Sequence, residues 1–538
     1  MRAIRSRIKK SMLMVMMGLV AAMLSIAACG EADEATDQSV AAEVDVKADE
    51  ATDSSVAAEV DVKRGGTLKV TSFGTHNTMD PPFQVTQHDI VITQHVYDNL
   101  VMVMPDMTLK PMLATSWEPN DDLTSYTFEL REGVKFHHGK DFEAEDVVAS
   151  FERMIDPVLD PPSRGALSNI LDVVAIGKHT VRFDLDAPSA TFPDSLSLYQ
   201  GRIFASDIDP DRLALEEFGT GAFMITEHLP GERTVMVRNP DYWDEGLPLL
   251  DGITVITILE SATRAEALKN GDVDLILDMA VANVSVIEAD SSTTVLQAAS
   301  PSYMGIYMNT TVEPFDDVLV RKAIQAATDR ETILQAALLG KGGIASDHPI
   351  PPNDPVFASQ HAPPDYDIDL ARSLLKQAGY PDGIDLTLHT ADAGAPLVEM
   401  AVAMKERAEA AGIRIEIKEV PEEDFWSKVW LQEPFTTVWW NGRPPDAALS
   451  IVYLSDAPWN ESQYANPTLD QLIADARGQE SLADRQATYA EVQRILIEDV
   501  PRIVAVFRPV LNGTSSDLRG YAAHPLNWPI LHGAWLDR

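Results

Sequence analysis

Beyond residue 64 the chain alternates apolar and polar positions in short runs, and this two-residue period predicts strands. Residues 67–73 open the series, and 124–130 and 179–185 continue it. Residues 133–136 follow closely enough on 124–130 to pair with it as a hairpin through Arg131 and Glu132. Strands at 234–238 and 253–259 flank a loop rich in proline and glycine. The spacing becomes helical at 142–154, with Asp141 placed to cap the segment and Glu143, Glu145 and Asp146 in the first turn, where acids oppose the positive end of the dipole. Further helices are predicted at 263–270, 318–338, 369–378, 395–411, 469–477 and 485–497, with strands at 385–389 and 413–420 among them. A second half that alternates strand and helix predicts a mostly parallel α/β arrangement.

The pattern before residue 64 is different. Arg2, Arg5, Arg7, Lys9 and Lys10 precede an apolar run over residues 12–28, too short for a stable membrane span and laid out as a signal peptide at 1–28. The run ends Ile26-Ala27-Ala28-Cys29-Gly30, which resembles the bacterial lipobox, where the cysteine thiol takes a diacylglycerol. Cys29 is the only cysteine in the chain, so no disulfide accounts for it. Residues 32–47 and 48–63 are a tandem duplication that differs only at Gln38 and Ser54. Acidic and without aromatics, residues 29–63 bury too little to offset the entropy of ordering and are expected to be a tether.

Composition narrows the function classes. The 538 residues carry a formal charge of −41, and losing the basic leader makes the balance more negative, so a nucleic-acid partner is excluded by phosphate repulsion. Some 470 residues after the tether exceed what one core supports, and at least two lobes are expected. The chain contains no HExxH, GxSxG or GxxxxGK[ST] pattern, which speaks against a secreted hydrolase as the rival class.

Several ordered segments carry a family resemblance. Gly65–Val70 opens it, followed by Leu113-Ala114-Thr115-Ser116-Trp117-Glu118, by Tyr126 through Phe136, and by His138-Gly139 with Ala144 through Val148. Gly219-Thr220-Gly221-Ala222-Phe223, Arg238-Asn239-Pro240-Asp241-Tyr242-Trp243, Ala267–Asp274, Phe315–Val318 with Arg321–Ile324 and Ala327–Arg330, Ala371–Gly379 and Gly412-Ile413 come in the expected order. In this set the chain resembles the family 5 extracellular solute-binding proteins, which include peptide, nickel and opine carriers of ABC importers. The resemblance implies an α/β, two-lobed fold like that of the class II periplasmic binding proteins. Lobe I would cover about 64–303 with a subdomain inserted at about 106–218, lobe II 304–507, and 508–538 would return to lobe I. Crossings are expected near residues 303–309 and 504–511. Trp117, Phe128, Phe136, Phe151, Tyr242 and Trp243 are expected in cores, and Arg131 and Asp146 in packing or ion pairs.

The implied function is substrate-binding lipoprotein of an importer: a monomer, held to the membrane by Cys29, capturing a small solute by lobe closure and passing it to permease subunits. No enzyme activity, cofactor or metal is expected. Alternatives of the same fold are a nickel or metal-chelate carrier and a ligand sensor, although His137 and His138 are adjacent and point apart on a strand, which disfavours a chelate. The best site candidate is the loop Trp439-Trp440-Asn441-Gly442-Arg443-Pro444-Pro445-Asp446, where family peptide binders often place an acid for the ligand's amino terminus. Arg443 offers a planar fork suited to a carboxylate or phosphate. Asp446 either holds an amine, caps the following segment, or pairs with Arg443. Trp440, Asn441, Tyr303, Trp528, His76 and Asn77 complete the candidate contacts, and the ligand class is a short peptide, an opine or another carboxylate-bearing compound.

Overall fold

The computed structural model describes residues 62–72, 74, 78–167 and 169–538. Cys29, the tandem repeat, His76 and Asn77 lie outside the described residues. Two mixed sheets organise the rest. The first has the spatial order Thr293–Ala298, Val510–Ser515, Leu275–Ile276, Thr67–Ser72, Gly252–Thr257, Arg233–Arg238 and Phe223–Leu229. Thr67–Ser72 is parallel to both of its neighbours, and the remaining pairs are antiparallel. Beside it a four-stranded antiparallel sheet of Ala114–Pro119, Ser125–Leu130, Thr180–Leu185 and Ile170–Gly177 packs with the helix Ala144–Ile155 and shares the first sheet's core. Phe128, Phe136, Phe151 and Tyr242 are buried in that core, with Trp117 and Trp243 packed against it.

The second sheet runs Gly343–Ile344, Arg502–Phe507, Tyr303–Met308, Phe435–Trp440, Ile384–Thr390 and Ile413–Glu419. It is not mostly parallel as expected: Ile384–Thr390 is parallel to both neighbours, while every other pair is antiparallel. The strand Tyr303–Met308 is buried at all six positions, as a central strand covered on both faces must be. Its alternation splits the lobe's apolar residues into two cores, Met304, Ile306 and Met308 facing one and Tyr303 and Tyr307 the other. Gly305 permits the approach of the neighbouring strand, since a Cβ there would lie 2.1 Å from the Ile503 carbonyl oxygen.

Local chemistry explains where the expected elements shift. Residues 133–136 do not form a hairpin strand, because Ser125–Leu130 already pairs on both edges; only the isolated bridge Lys135 to Asp141 remains. The helix that follows is capped by Glu143 rather than Asp141, with the Asp146 side chain returning to the Glu143 amide. The single helix expected over 318–338 is two, Val318–Ala326 and Arg330–Leu338, because Asp329 takes an extended conformation and accepts from the Thr332 amide at 3.0 Å.

The chain passes from the first sheet to the second between Ala298 and Tyr303 and returns between Phe507 and Val510. The first crossing thus lies upstream of the expected 303–309, where Tyr303–Met308 is a buried strand. The two crossings are joined by the Arg508 amide donating to the Ser302 carbonyl at 2.7 Å.

Candidate functional site

The loop after Phe435–Trp440 is built against the first crossing. Ser302 Oγ donates to the Trp440 carbonyl at 2.8 Å, and Gly442 sits so close to Pro301 that a Cβ would lie 2.9 Å from the proline Cγ. A residue with a side chain at 442 would push the loop off the crossing. The polypeptide then turns through two prolines into the helix Pro445–Val452, where Pro445 in the first turn forfeits no helical hydrogen bond.

Arg443 projects from this loop. Its guanidinium carbon lies 5.3 Å from the centroid of the Trp440 ring, a cation–π arrangement. Its hydrogen bond goes to the Asn441 carbonyl two residues away, at 3.3 Å, and no carboxylate among the described residues pairs with it. Burial lowers its pKa, and the phenols of Tyr199 and Tyr303 are the groups within electrostatic reach that act on its charge. Asn441 is exposed.

Asp446 is not Arg443's partner. Its carboxylate is held by Arg477 Nε at 3.0 Å and meets Ser450 Oγ on its own helix, although burial still raises its pKa. Arg477 also accepts the Ala190 amide on its carbonyl at 2.8 Å, which joins the second lobe to the inserted sheet region of the first.

Tyr303 and Trp440 are floor rather than free wall. The Tyr303 hydroxyl accepts from Arg502 Nη1 at 3.0 Å, and burial pushes the phenol up to about 12. Arg502 Nη2 in turn contacts Glu461 Oε2 at 2.5 Å, with the two side chains 1% and 0% exposed. The Glu461 carboxylate also accepts from Trp430 Nε1 at 2.5 Å and Trp440 Nε1 at 3.4 Å. One buried ion pair therefore positions both aromatic residues beneath Arg443.

On the first lobe, Trp528 packs edge-on against Tyr199 with centroids 6.2 Å apart and stacks on His524 at 5.7 Å. Arg443, Tyr303 and Trp440 are thus brought together on the second lobe, and Tyr199 of the first lies within electrostatic reach of Arg443, while Trp528 is buried in a first-lobe cluster with Ile90, Val103 and Leu526 against which Tyr199 packs. Tyr199 was missed because nothing local marks it; only the tertiary fold brings it near Arg443. Missed too was Arg508, whose Nη2 meets Asp278 Oδ1 at 3.1 Å on the first lobe and whose Nη1 donates to the Gly394 carbonyl at 3.2 Å on the second.

His137 is committed through both ring nitrogens, Nδ1 to Glu217 at 2.8 Å and Nε2 to the Gly221 carbonyl at 2.9 Å, while His138 faces Asp207 at 3.3 Å. Among the described residues no three His, Cys, Asp or Glu side chains come together as a metal site.

The chain is similar to known proteins over most of its length. Residues 108–461 match the family described as bacterial extracellular solute-binding proteins, family 5 (middle). The heme-binding protein A of Haemophilus influenzae is 29% identical over 480 residues, covering 83% of this chain and 87% of that protein. The di/tripeptide-binding protein 2 of Pseudomonas aeruginosa is 27% identical, covering 86% and 93%. Among solved structures, the ABC transporter-associated periplasmic binding protein DppA of Helicobacter pylori, in complex with the peptide STSA, superposes with a TM-score of 0.77 at 27% identity, covering 88% of this chain and 99% of the other.

Proposed function

The chain belongs to the bacterial extracellular solute-binding proteins of family 5, and from that membership we propose that it is the substrate-binding component of an ABC importer, taking a small carboxylate-bearing solute between its lobes. Short peptides and opines are the solutes of this kind. The observation that carries the reading is Arg443: in a chain of formal charge −41, this guanidinium stands at the inter-lobe face with no carboxylate partner among the described residues. An unbalanced cation over an aromatic platform suits an incoming anion. No covalent step is involved. The open protein takes up the solute, the lobes close about the two crossings, and the closed form docks on the permease, so that affinity includes the work of closure.

The compartment follows from the same reading. We place residues 1–28 as a leader, Cys29 as the lipid-bearing residue, residues 29–63 as the tether, and the body as a monomer outside the cytoplasm that catalyses no reaction. Lobe I is taken as residue 64 to the first crossing with the C-terminal return, and lobe II as the second sheet with its helices.

Isothermal titration calorimetry with di- and tripeptides and opines tests the site. Arg443→Ala is expected to weaken binding by more than about 2 kcal/mol, the scale of one lost partner in a hydrogen-bonded charge pair. An unchanged dissociation constant would remove Arg443 from the site.

A further inference from the structure

We propose that the site recognises its solute through an acidic group and makes no demand for a free amine, so that its natural ligands are amine-free or amine-blocked carboxylic acids. The inference rests on the solute-binding reading above and narrows its ligand class.

The accounting is one of spare donors and spare acceptors. A guanidinium carries five N–H donors and Arg443 spends one, on the Asn441 carbonyl at 3.3 Å. The others are held in a fork over Trp440, in the planar arrangement that a carboxylate accepts in pairs. The floor beneath is neutral or already balanced, since Tyr303 is engaged by Arg502 and Arg502 by Glu461.

An ammonium group would need the opposite, a carboxylate without a cation, and among the described residues Asp446, Asp278, Asp80 and Asp89 are each held by or beside a cation. Asp446, three residues from Arg443 in the first turn of the following helix, is bound to Arg477 at 3.0 Å. Asp278 on the first lobe is bound to Arg508 at 3.1 Å, and Asp80 to Arg153 at 2.7 Å. Asp89 is fully buried, its carboxylate accepting from the Thr78 amide and lying within electrostatic reach of the Arg202 guanidinium. The sequence from Gly74 to Thr78 contains no acid. Asp392 is exposed two residues before Gly394, whose carbonyl accepts from Arg508 at the second crossing. A solute brought in by its ammonium would place that charge beside Arg443 with nothing to offset it. A solute brought in by its carboxylate completes a pair and leaves its other end unconstrained.

The test uses matched probes on the full chain: Ala-Leu, N-acetyl-Ala-Leu and Ala-Leu amide, with N-acetyl amino acids and simple dicarboxylates, each titrated by calorimetry. The acetylated acids are expected to bind within about threefold of, or tighter than, their free-amine parents. The amide is expected to bind at least about thirtyfold more weakly than the acid, which is one lost charge-pair partner. Arg443→Lys, which keeps the charge and loses the fork, is expected to retain part of the acid preference, and Arg443→Ala none. If acetylation costs thirtyfold or more while amidation costs nothing, the inference is overturned and the solute-binding reading survives; Asp392→Asn would then identify the amine's partner by abolishing the preference. If no probe binds at all, both the inference and the carboxylate reading on which it rests fail.

Discussion

Replacing Glu461 by glutamine perturbs the floor of the site without changing its volume. In the native protein the carboxylate balances the Arg502 charge at 2.5 Å and accepts from two indole N–H groups, Trp430 and Trp440. Burial raises the Glu461 pKa, but the neighbouring guanidinium and indole donors oppose the shift; for Arg502, burial works against the charge and Glu461 together with the phenols of Tyr303 and Tyr453 outweighs it, so the net direction is upward. A glutamine keeps one acceptor oxygen and turns an NH2 toward donors, while the Arg502 charge stays buried and unbalanced. Removing one partner of such a pair costs about 3–5 kcal/mol. For a lobe on the order of 200 residues each kcal/mol moves the midpoint by about 2–4 °C, so the thermal transition should fall by roughly 6–20 °C. Intrinsic fluorescence reads this directly, because Trp430, Trp440 and Trp459 cluster with centroids 5.7–6.4 Å apart. The double variant Glu461→Gln with Arg502→Met removes the stranded charge and should melt above the single variant. A single variant within about 2 °C of wild type, or a double variant no milder than the single, refutes the argument.

Three further outcomes follow from other parts of the molecule. Asp194, on the short helix Phe192–Ser195 of the first lobe, has its pKa raised to about 6 by burial against the weaker pull of Arg485 on the second. Between about pH 4 and 6 the folded state therefore binds this proton more tightly than the unfolded chain, so its contribution falls as pH rises; Asp194→Asn should gain stability relative to wild type across that window in melting curves, and parallel curves would contradict it. Gly305→Ala drives a methyl into the Ile503 carbonyl, 2.1 Å from its position, and should cost more than about 2 kcal/mol in urea denaturation, while near-neutral behaviour would deny the close approach. Cys29→Ser should release the protein from membrane fractions of its host, and continued retention would undo the lipid anchor.

The alternating strands and the capped helices were legible because their signals are local. Thr67–Ser72, Ser125–Leu130 and Thr180–Leu185 each carry their period within six residues. Tyr303–Met308 was not, since an apolar Tyr-Met-Gly-Ile-Tyr-Met run has no solvent face to alternate with, and the region was read as a crossing. The break at Asp329 was hidden by helical spacing that continues through it. At the site, Arg443 stood out from its neighbours Trp440, Gly442 and the prolines. That Asp446 belongs to Arg477, and that Tyr199 faces Arg443, depends on contacts across 31 and more than 200 residues of sequence.

The contact of Gly442 with Pro301 puts Arg443 one residue from a pivot. When one lobe swings on two short connectors, each atom sweeps an arc in proportion to its lever arm, and that of Arg443 is small. On the proposed reading, in which Arg443 meets the acid of the solute, that guanidinium would be almost the same object in the gaping and the shut protein. Groups farther from the two connectors sweep wider arcs as the lobes close. Under that reading, substitutions near the axis would act on capture and those at the perimeter on retention.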